Sequence, residues 1–216
     1  MQTRRLVHSL AAAILALPAL SAPLLTQSTQ PDAAAQKLAD EVMKASGSDH
    51  WKNVKRIVFT FNVAQGGKTL VAAKHDWDLT KNLDTVQWAD KKVTVDVCKP
   101  PSEGDGKDAY QRWTNDTYWL LMPLKLKDAG ITLTSPAPNT LHLSFKGVGL
   151  TPGDQYDVYV DPKTHLPAKW DYMPAPDKKT TGTWEDYKTS GGLTLSTRHS
   201  FGEYAITITD LDVTSK

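Results

Sequence analysis

From Arg56 to Gln65 the chain reads RIVFTFNVAQ. Ile57, Phe59, Phe61 and Val63 alternate with Val58, Thr60, Asn62 and Ala64. A period of two is the signature of a strand, whose successive side chains point to opposite faces. Gly66-Gly67 marks a hairpin turn. The return run KTLVAAKHDWDL puts Val71, Ala73, His75, Trp77 and Leu79 on one side. DTVQWAD and KKVTVDVC follow, with Val86 and Trp88, then Val93, Val95 and Val97. Short strands in succession with short turns predict an antiparallel meander rather than βαβ units.

Alternation resumes at GITLT and TLHLSFKG, where Leu141, Leu143 and Phe145 face one way. In YDVYVDPKTHLPAKWDY, residues 156–172, Tyr156, Val158 and Val160 share a face, as do Ala168, Trp170 and Tyr172 on the return. Asp161-Pro162-Lys163-Thr164 fits a type I turn between them. TGTWEDYKT, LTLSTRHSF and YAITITDLDV complete the chain. The sum is about nine to eleven antiparallel strands in sequence order.

Two segments carry the helical period instead. DAAAQKLADEVMKASG has Asp32 to cap its start and Gly47 where it stops, with Leu38 and Val42 sharing a face with Ala34, Ala35 and Ala45. In DAYQRWTNDTYWLLMP, Tyr110, Trp113, Thr117 and Leu121 recur at helical spacing before Pro123. A long twisted meander must curl or close to protect its edges and bare face. The expected fold is therefore mainly β (α+β), a curled antiparallel sheet or incomplete β-barrel covered by an N-terminal helix and a helical insertion.

The N-terminus changes the setting. MQTRRLVHSLAAAILALPALSAP has two arginines, a short apolar run and small residues, the layout of a cleavable secretory signal. The apolar run falls short of the roughly 20 residues that span a bilayer, so no transmembrane anchor is expected after cleavage. The expected division is a signal peptide at 1–22, a linker at 23–31 and a single half-barrel domain at 32–216. The exported product is expected in the periplasm or secreted. Losing Arg4 and Arg5 leaves 23 basic residues against 24 acidic ones, a net charge near −1. With no basic block or stripe, nucleic acid is excluded as a partner class. Cys98 is the only cysteine, so no internal disulfide forms. Its place after an alternating valine run predicts a small buried filler.

Candidate chemistry is sparse. His75-Asp76-Trp77-Asp78 crowds metal-binding types together, but on a strand the imidazole points away from both carboxylates. Solvated acids beside a partly buried histidine are expected there, with no metal and no cofactor. No Gly-x-Ser-x-Gly elbow occurs, and His50, His142, His165 and His199 have no partners at motif spacing. Asp157, Asp161 and Asp171 meet across the quoted hairpin as acids on its wet face, beside Lys169. The seven tryptophans are the unusual feature. They fill the volume inside a curved sheet, or several line a cavity between sheet and helices that takes an acyl chain or another apolar ligand.

The opening from Trp51 to Phe61, NDTYWLLMPLKLKDAG, YDVYVDPKTHLPAKWDY and TWEDYKTSGGLTLSTR resemble a family of uncharacterised exported bacterial proteins related to the LolA/LolB lipoprotein-carrier fold. The resemblance covers most of the chain after residue 32. It implies an incomplete antiparallel barrel closed by helices around a hydrophobic cavity. The carrier's Arg-Pro element, which helps latch its lid, is missing from the comparable stretch KHDWDLTKNLDTVQW. The expected function is an exported, non-catalytic binding or carrier protein for a lipid or other hydrophobic ligand in the cell envelope. Trp77, Trp88, Trp119, Leu121, Trp170 and Trp184 are the expected cavity-lining residues. The alternatives are an envelope hydrolase with a site assembled from distant His and Asp/Glu residues, and a protein-interaction module offering a sheet edge.

Overall fold

The computed structural model describes residues 32–216 apart from 152 and 176, so the expected signal and linker lie outside the described residues. Helix α1 spans Ala33–Ala45. One Asp32 carboxylate oxygen accepts the backbone N–H groups of Ala34 and Ala35, both at 3.0 Å. The other accepts Ser135 N–H at 2.8 Å, tying the cap to the sheet beneath. Those N–H groups, that of Ala35 foremost, hold the Asp32 carboxyl below its ordinary range. The helix buries Ala35, Leu38, Ala39 and Val42. Ala34 is exposed, so the buried face is centred one residue away from the expected one. The chain then turns at Gly47, whose φ of +90° favours glycine. A Cβ there would also stand 2.2 Å from the Gly192 carbonyl oxygen.

The described residues form twelve strands. They are β1 Val54–Gln65, β2 Lys68–Asp78, β3 Leu83–Trp88, β4 Lys91–Asp96, β5 Ile131–Ala137 and β6 Thr140–Phe145. After these come β7 Gln155–Val160, β8 Pro167–Ala175, β9 Lys178–Thr183, β10 Glu185–Ser190, β11 Leu193–Phe201 and β12 Tyr204–Ser215. Helix α2, Gly104–Leu121, is the insertion between β4 and β5. The result is an α+β fold with antiparallel sheets and helices where the hydropathy pattern puts them. One sheet has seven strands in the order β10-β11-β12-β1-β2-β3-β4, the other five in the order β5-β6-β7-β8-β9.

Neither sheet closes on itself, and the strand order is not simply sequential. The long β12 returns to pair with β1 from Val54↔Ser215 to Gln65↔Tyr204. The segment read as one strand, TGTWEDYKT, changes partners at Trp184. Trp184 N–H donates to the Ala168 carbonyl at 2.8 Å, continuing the five-stranded ladder. Glu185 N–H donates instead to Ser196 Oγ at 3.0 Å, on the seven-stranded side. A strand that switches sheets in this way makes a corner.

Two local expectations fail for the same reason, a break in the period. β4 stops at Asp96, whose side chain accepts Cys98 N–H at 2.9 Å. Cys98 therefore sits in a turn and is exposed rather than a buried filler. Between β7 and β8 a register shift pairs Val160 with Pro167. Ala168 is consequently exposed while Pro167 and Trp170 are buried.

Three apolar clusters make up the core, and α2 reaches all of them. Ala109 packs with Ala73, Val86 and Val95 of β2–β4. Leu120 and Leu121 pack with Ile57, Phe59, Ile206 and Ile208 of β1 and β12. Met122, just past the helix end, joins Leu38, Leu141, Val158 and Trp170 under α1.

Candidate functional site

Residues Asn115, Tyr118 and Trp119 stand at i, i+3 and i+4 on α2, one face of a helix. Opposite them, the alternation of β7 and β8 pairs Tyr156 with Tyr172 and Val158 with Trp170. Between these faces lies a cleft with two lobes of about 790 Å³ and 260 Å³. Both lobes are bordered by Asn115, Tyr118, Leu150, Thr151, Asp154 and Tyr156. The β11–β12 turn, Phe201 to Tyr204, closes the end of the larger one.

Aromatic rings line the larger lobe in an unbroken series. Trp119 meets Trp170 edge-on at 4.6 Å, and Trp170 meets Tyr156 at 4.7 Å. Tyr156 stacks on Tyr172 at 5.1 Å, while Trp119 stacks on Phe201 at 5.8 Å and Phe201 on Tyr204 at 5.6 Å. Gly182 makes room for this arrangement. It pairs with Trp170 across β8 and β9, and a Cβ there would lie 2.8 Å from the indole Nε1. Gly182→Ala is expected to cost about 1–3 kcal/mol by overpacking an indole hemmed in on its other sides. A urea midpoint equal to that of the wild type would contradict this.

Two of the six expected lining residues, Trp119 and Trp170, border the cleft. The other four lie elsewhere. Trp184 sits behind Trp170, edge-on at 5.3 Å, and against His199 at 4.5 Å. Trp77 packs edge-on to Trp113 at 5.4 Å, beyond the cleft. Trp88 lies under the Arg112 guanidinium, 5.1 Å from the ring. Leu121 is 2 % exposed in the core against β1 and β12. The hydropathy reading passed over the tyrosines, although Tyr156 and Tyr172 stand on the faces it assigned in the quoted hairpin.

The polar groups of the cleft are few. Asp154 is 7 % exposed and accepts a hydrogen bond from the Thr151 hydroxyl. Burial and the Asp154 carboxylate push the Tyr172 hydroxyl up to about 12, and the same two causes raise that of Tyr156. Burial raises Tyr118 well above the ordinary phenol range, and its hydroxyl has no hydrogen-bond partner among the described residues. Lys125, in the smaller lobe, is 2.9 Å from Asp128.

The acids of the hairpin do not form a cluster. Asp157 faces Asp171 in register but accepts from His142 at 2.7 Å. Asp171 is buried rather than wet, at 3 % exposure, and its partners are Thr181 at 2.6 Å, Tyr159 at 2.9 Å and Lys179 at 3.1 Å. Burial raises its pKa, but those donors outweigh burial and leave it lowered. Asp161 caps its own turn through Lys163 and Thr164 N–H.

The strongest electrostatic feature was not legible as one. His75 is fully buried, not partly, with Nδ1 2.7 Å from Asp84 and Nε2 3.0 Å from Asp116. Its ring stacks on Phe59 at 4.6 Å. Asp84 and Asp116 are 0 % and 3 % exposed. Burial pulls the imidazole pKa down, but hydrogen bonds to Asp116 and then Asp84 outweigh it and hold it up at about 9. Both ring nitrogens therefore donate at neutral pH, from a cation between two carboxylates. His199 is the opposite case. Burial pushes it down to about 4, and its Nδ1 donates to the Thr183 carbonyl at 3.1 Å as a neutral ring. Neither histidine borders the cleft. Among the described residues no group of three or more His, Cys, Asp and Glu side chains is placed to hold a metal ion. No described helix is long and apolar enough to cross a membrane.

No family model matches the sequence, and no curated protein matches it. Solved structures do. A DUF1329 family protein from Desulfovibrio piger superposes with a TM-score of 0.51 at 13% identity, over 83% of this chain and 92% of that one. A LolA superfamily protein from Nitrosomonas europaea superposes with a TM-score of 0.48 at 8% identity, over 84% and 94%. At such identities the likeness to the Desulfovibrio piger protein is one of fold alone.

Proposed function

We propose that this chain is an exported, soluble, non-catalytic binding or carrier protein for a lipid or other hydrophobic ligand of the cell envelope. Residues 1–22 would be removed as a signal, and residues 32–216 would act as one binding unit in the periplasm or outside the cell. The observation that carries the reading is the aromatic cleft between α2 and the five-stranded sheet. Its larger lobe, about 790 Å³, falls in the range of small-molecule sites, which are apolar with few polar anchors. Leu150 and Tyr204, 45% and 37% exposed, are two of the three exposed large apolar side chains among the described residues, and both border this cleft. Apolar groups left bare at the rim of an apolar cavity support the reading that a ligand enters there. Burying ten methylenes there would contribute roughly 8 kcal/mol before ordering costs.

The envelope hydrolase reading needs histidine and carboxylate groups converging on an accessible surface. The Asp84–His75–Asp116 grouping is enclosed on all sides, and the partly exposed pair His142–Asp157 does not border the cleft. A carrier without covalent chemistry is the reading the cleft supports.

The neutral fluorophore N-phenylnaphthylamine tests the proposal. It should brighten on binding the purified protein and be displaced by neutral long-chain alcohols. Trp119→Glu, which sets a charge in the cleft, should weaken binding at least tenfold. A probe that stays dark, or one that brightens equally with the variant, would sink the reading.

A further inference from the structure

The charges around the larger lobe are one-sided. Resting on the apolar-ligand reading above, we propose that the ligand is an amphiphile whose head group is a cation, an ammonium or quaternary ammonium, seated between the tyrosines and Asp154. The larger lobe is bordered by two carboxylates, Asp154 and Glu203, and by no lysine, arginine or histidine. Asp154 is nearly buried, and the groups that hydrogen-bond its side chain, the Thr151 and Tyr172 hydroxyls, are neutral. No described ion pair engages it, whereas Asp128, in the smaller lobe, has Lys125. Lys178 stands on the same side of β9 as Thr180 but is exposed and does not border the lobe.

A buried carboxylate without a cation is costly unless something positive arrives or hydrogen bonds compensate. Around it stand Tyr156, Tyr172 and Tyr118, with Trp170 touching Tyr156 at 4.7 Å. Indole and phenol rings carry negative faces that attract ammonium groups within about 6 Å, and quaternary ammonium ligands are recognised by such rings. Negative ring faces beside a carboxylate with no described cationic partner repel an anionic head just as they attract a cationic one. Fatty acids and anionic lipids are disfavoured by the same arrangement. The apolar body of the ligand would lie along Trp119 and Phe201 towards the β11–β12 turn, where Glu203 is exposed at the rim.

Isothermal titration with three ten-carbon amphiphiles below their micelle concentrations decides the matter: decyltrimethylammonium, decyl dimethylphosphine oxide and decyl sulfate. The expected order is ammonium tightest, the neutral phosphine oxide weaker by about tenfold, and sulfate weakest. Asp154→Asn should reduce the ammonium-to-neutral preference, the ratio of the two affinities measured on the same protein, at least fivefold. Tyr156→Leu, which keeps the carboxylate and removes a ring, should also cut the preference. If ammonium and neutral compounds bind equally to the wild type, the head-group inference fails and the apolar cleft stands. If none of the three binds, both readings fail together.

Discussion

His75→Ala should be among the most damaging single substitutions in this fold, lowering stability by about 3–5 kcal/mol. Removing the imidazolium leaves Asp84 and Asp116 buried and facing each other with no cation between them. The loss should appear as a large drop in the urea midpoint. Asp116→Asn should cost less, because an amide can still accept from the ring. The wild type should also show a particular pH dependence. The His75 pKa is raised from 6.5 in the unfolded chain to about 9 in the fold. The folded state therefore holds its proton more tightly, and the contribution is fully present below about pH 6.5. It declines as pH rises and is gone above about pH 9, a loss of about 3 kcal/mol from this group. His75→Ala should flatten stability between pH 6.5 and 9. A variant as stable as the wild type, or one with the same alkaline decline, would contradict the assignment.

Trp170→Ala is expected to cost about 3–5 kcal/mol and to alter the cleft at the same time. The indole is 3% exposed and touches Tyr118, Trp119, Tyr156 and Trp184, so four rings lose a neighbour when it goes. Aromatic pairs of this kind contribute about 0.5–1.5 kcal/mol each beyond the area they bury. The thermal midpoint should fall steeply, and the folded fraction should bind N-phenylnaphthylamine with altered affinity, because the lobe is widened. Trp88→Ala is the contrast. That ring is half-buried at the end of β3 beneath Arg112, and its removal should cost little and leave binding untouched. Equal losses for the two tryptophans would refute the placement of the cleft.

Period-two alternation and helical spacing carry most of the fold, because each element buries one face and that face is written in the local sequence. What they do not carry is partner choice over long distance. Nothing between residues 54 and 65 announces that they pair with residues 204–215, and nothing in TGTWEDYKT marks Trp184 as a corner. The buried ion cluster is hidden for another reason. Asp84 stands in the phase of Val86 and Trp88, and Asp116 lies three residues after Trp113 and beside the buried Thr117, so both carboxylates stand at buried positions. A hydropathy reading discounts a lone acid in an apolar phase as noise. Here the acids are two halves of one interaction, and their partner on β2 is a histidine.

The same reasoning limits what α2 can do. A cover that swings aside must leave behind only what water can take over. Detaching α2 would expose Leu120, Leu121 and the adjoining Met122, each at or below 2% exposure, at a cost of roughly 1.5–3 kcal/mol apiece. It would also pull Asp116 away from His75. Those losses together approach the 5–15 kcal/mol that separates a folded domain from its unfolded chain. The helix is thus a fixed beam of the building, not its door, and under the proposed function a ligand would pass at the sill where Leu150 and Tyr204 stand in the open.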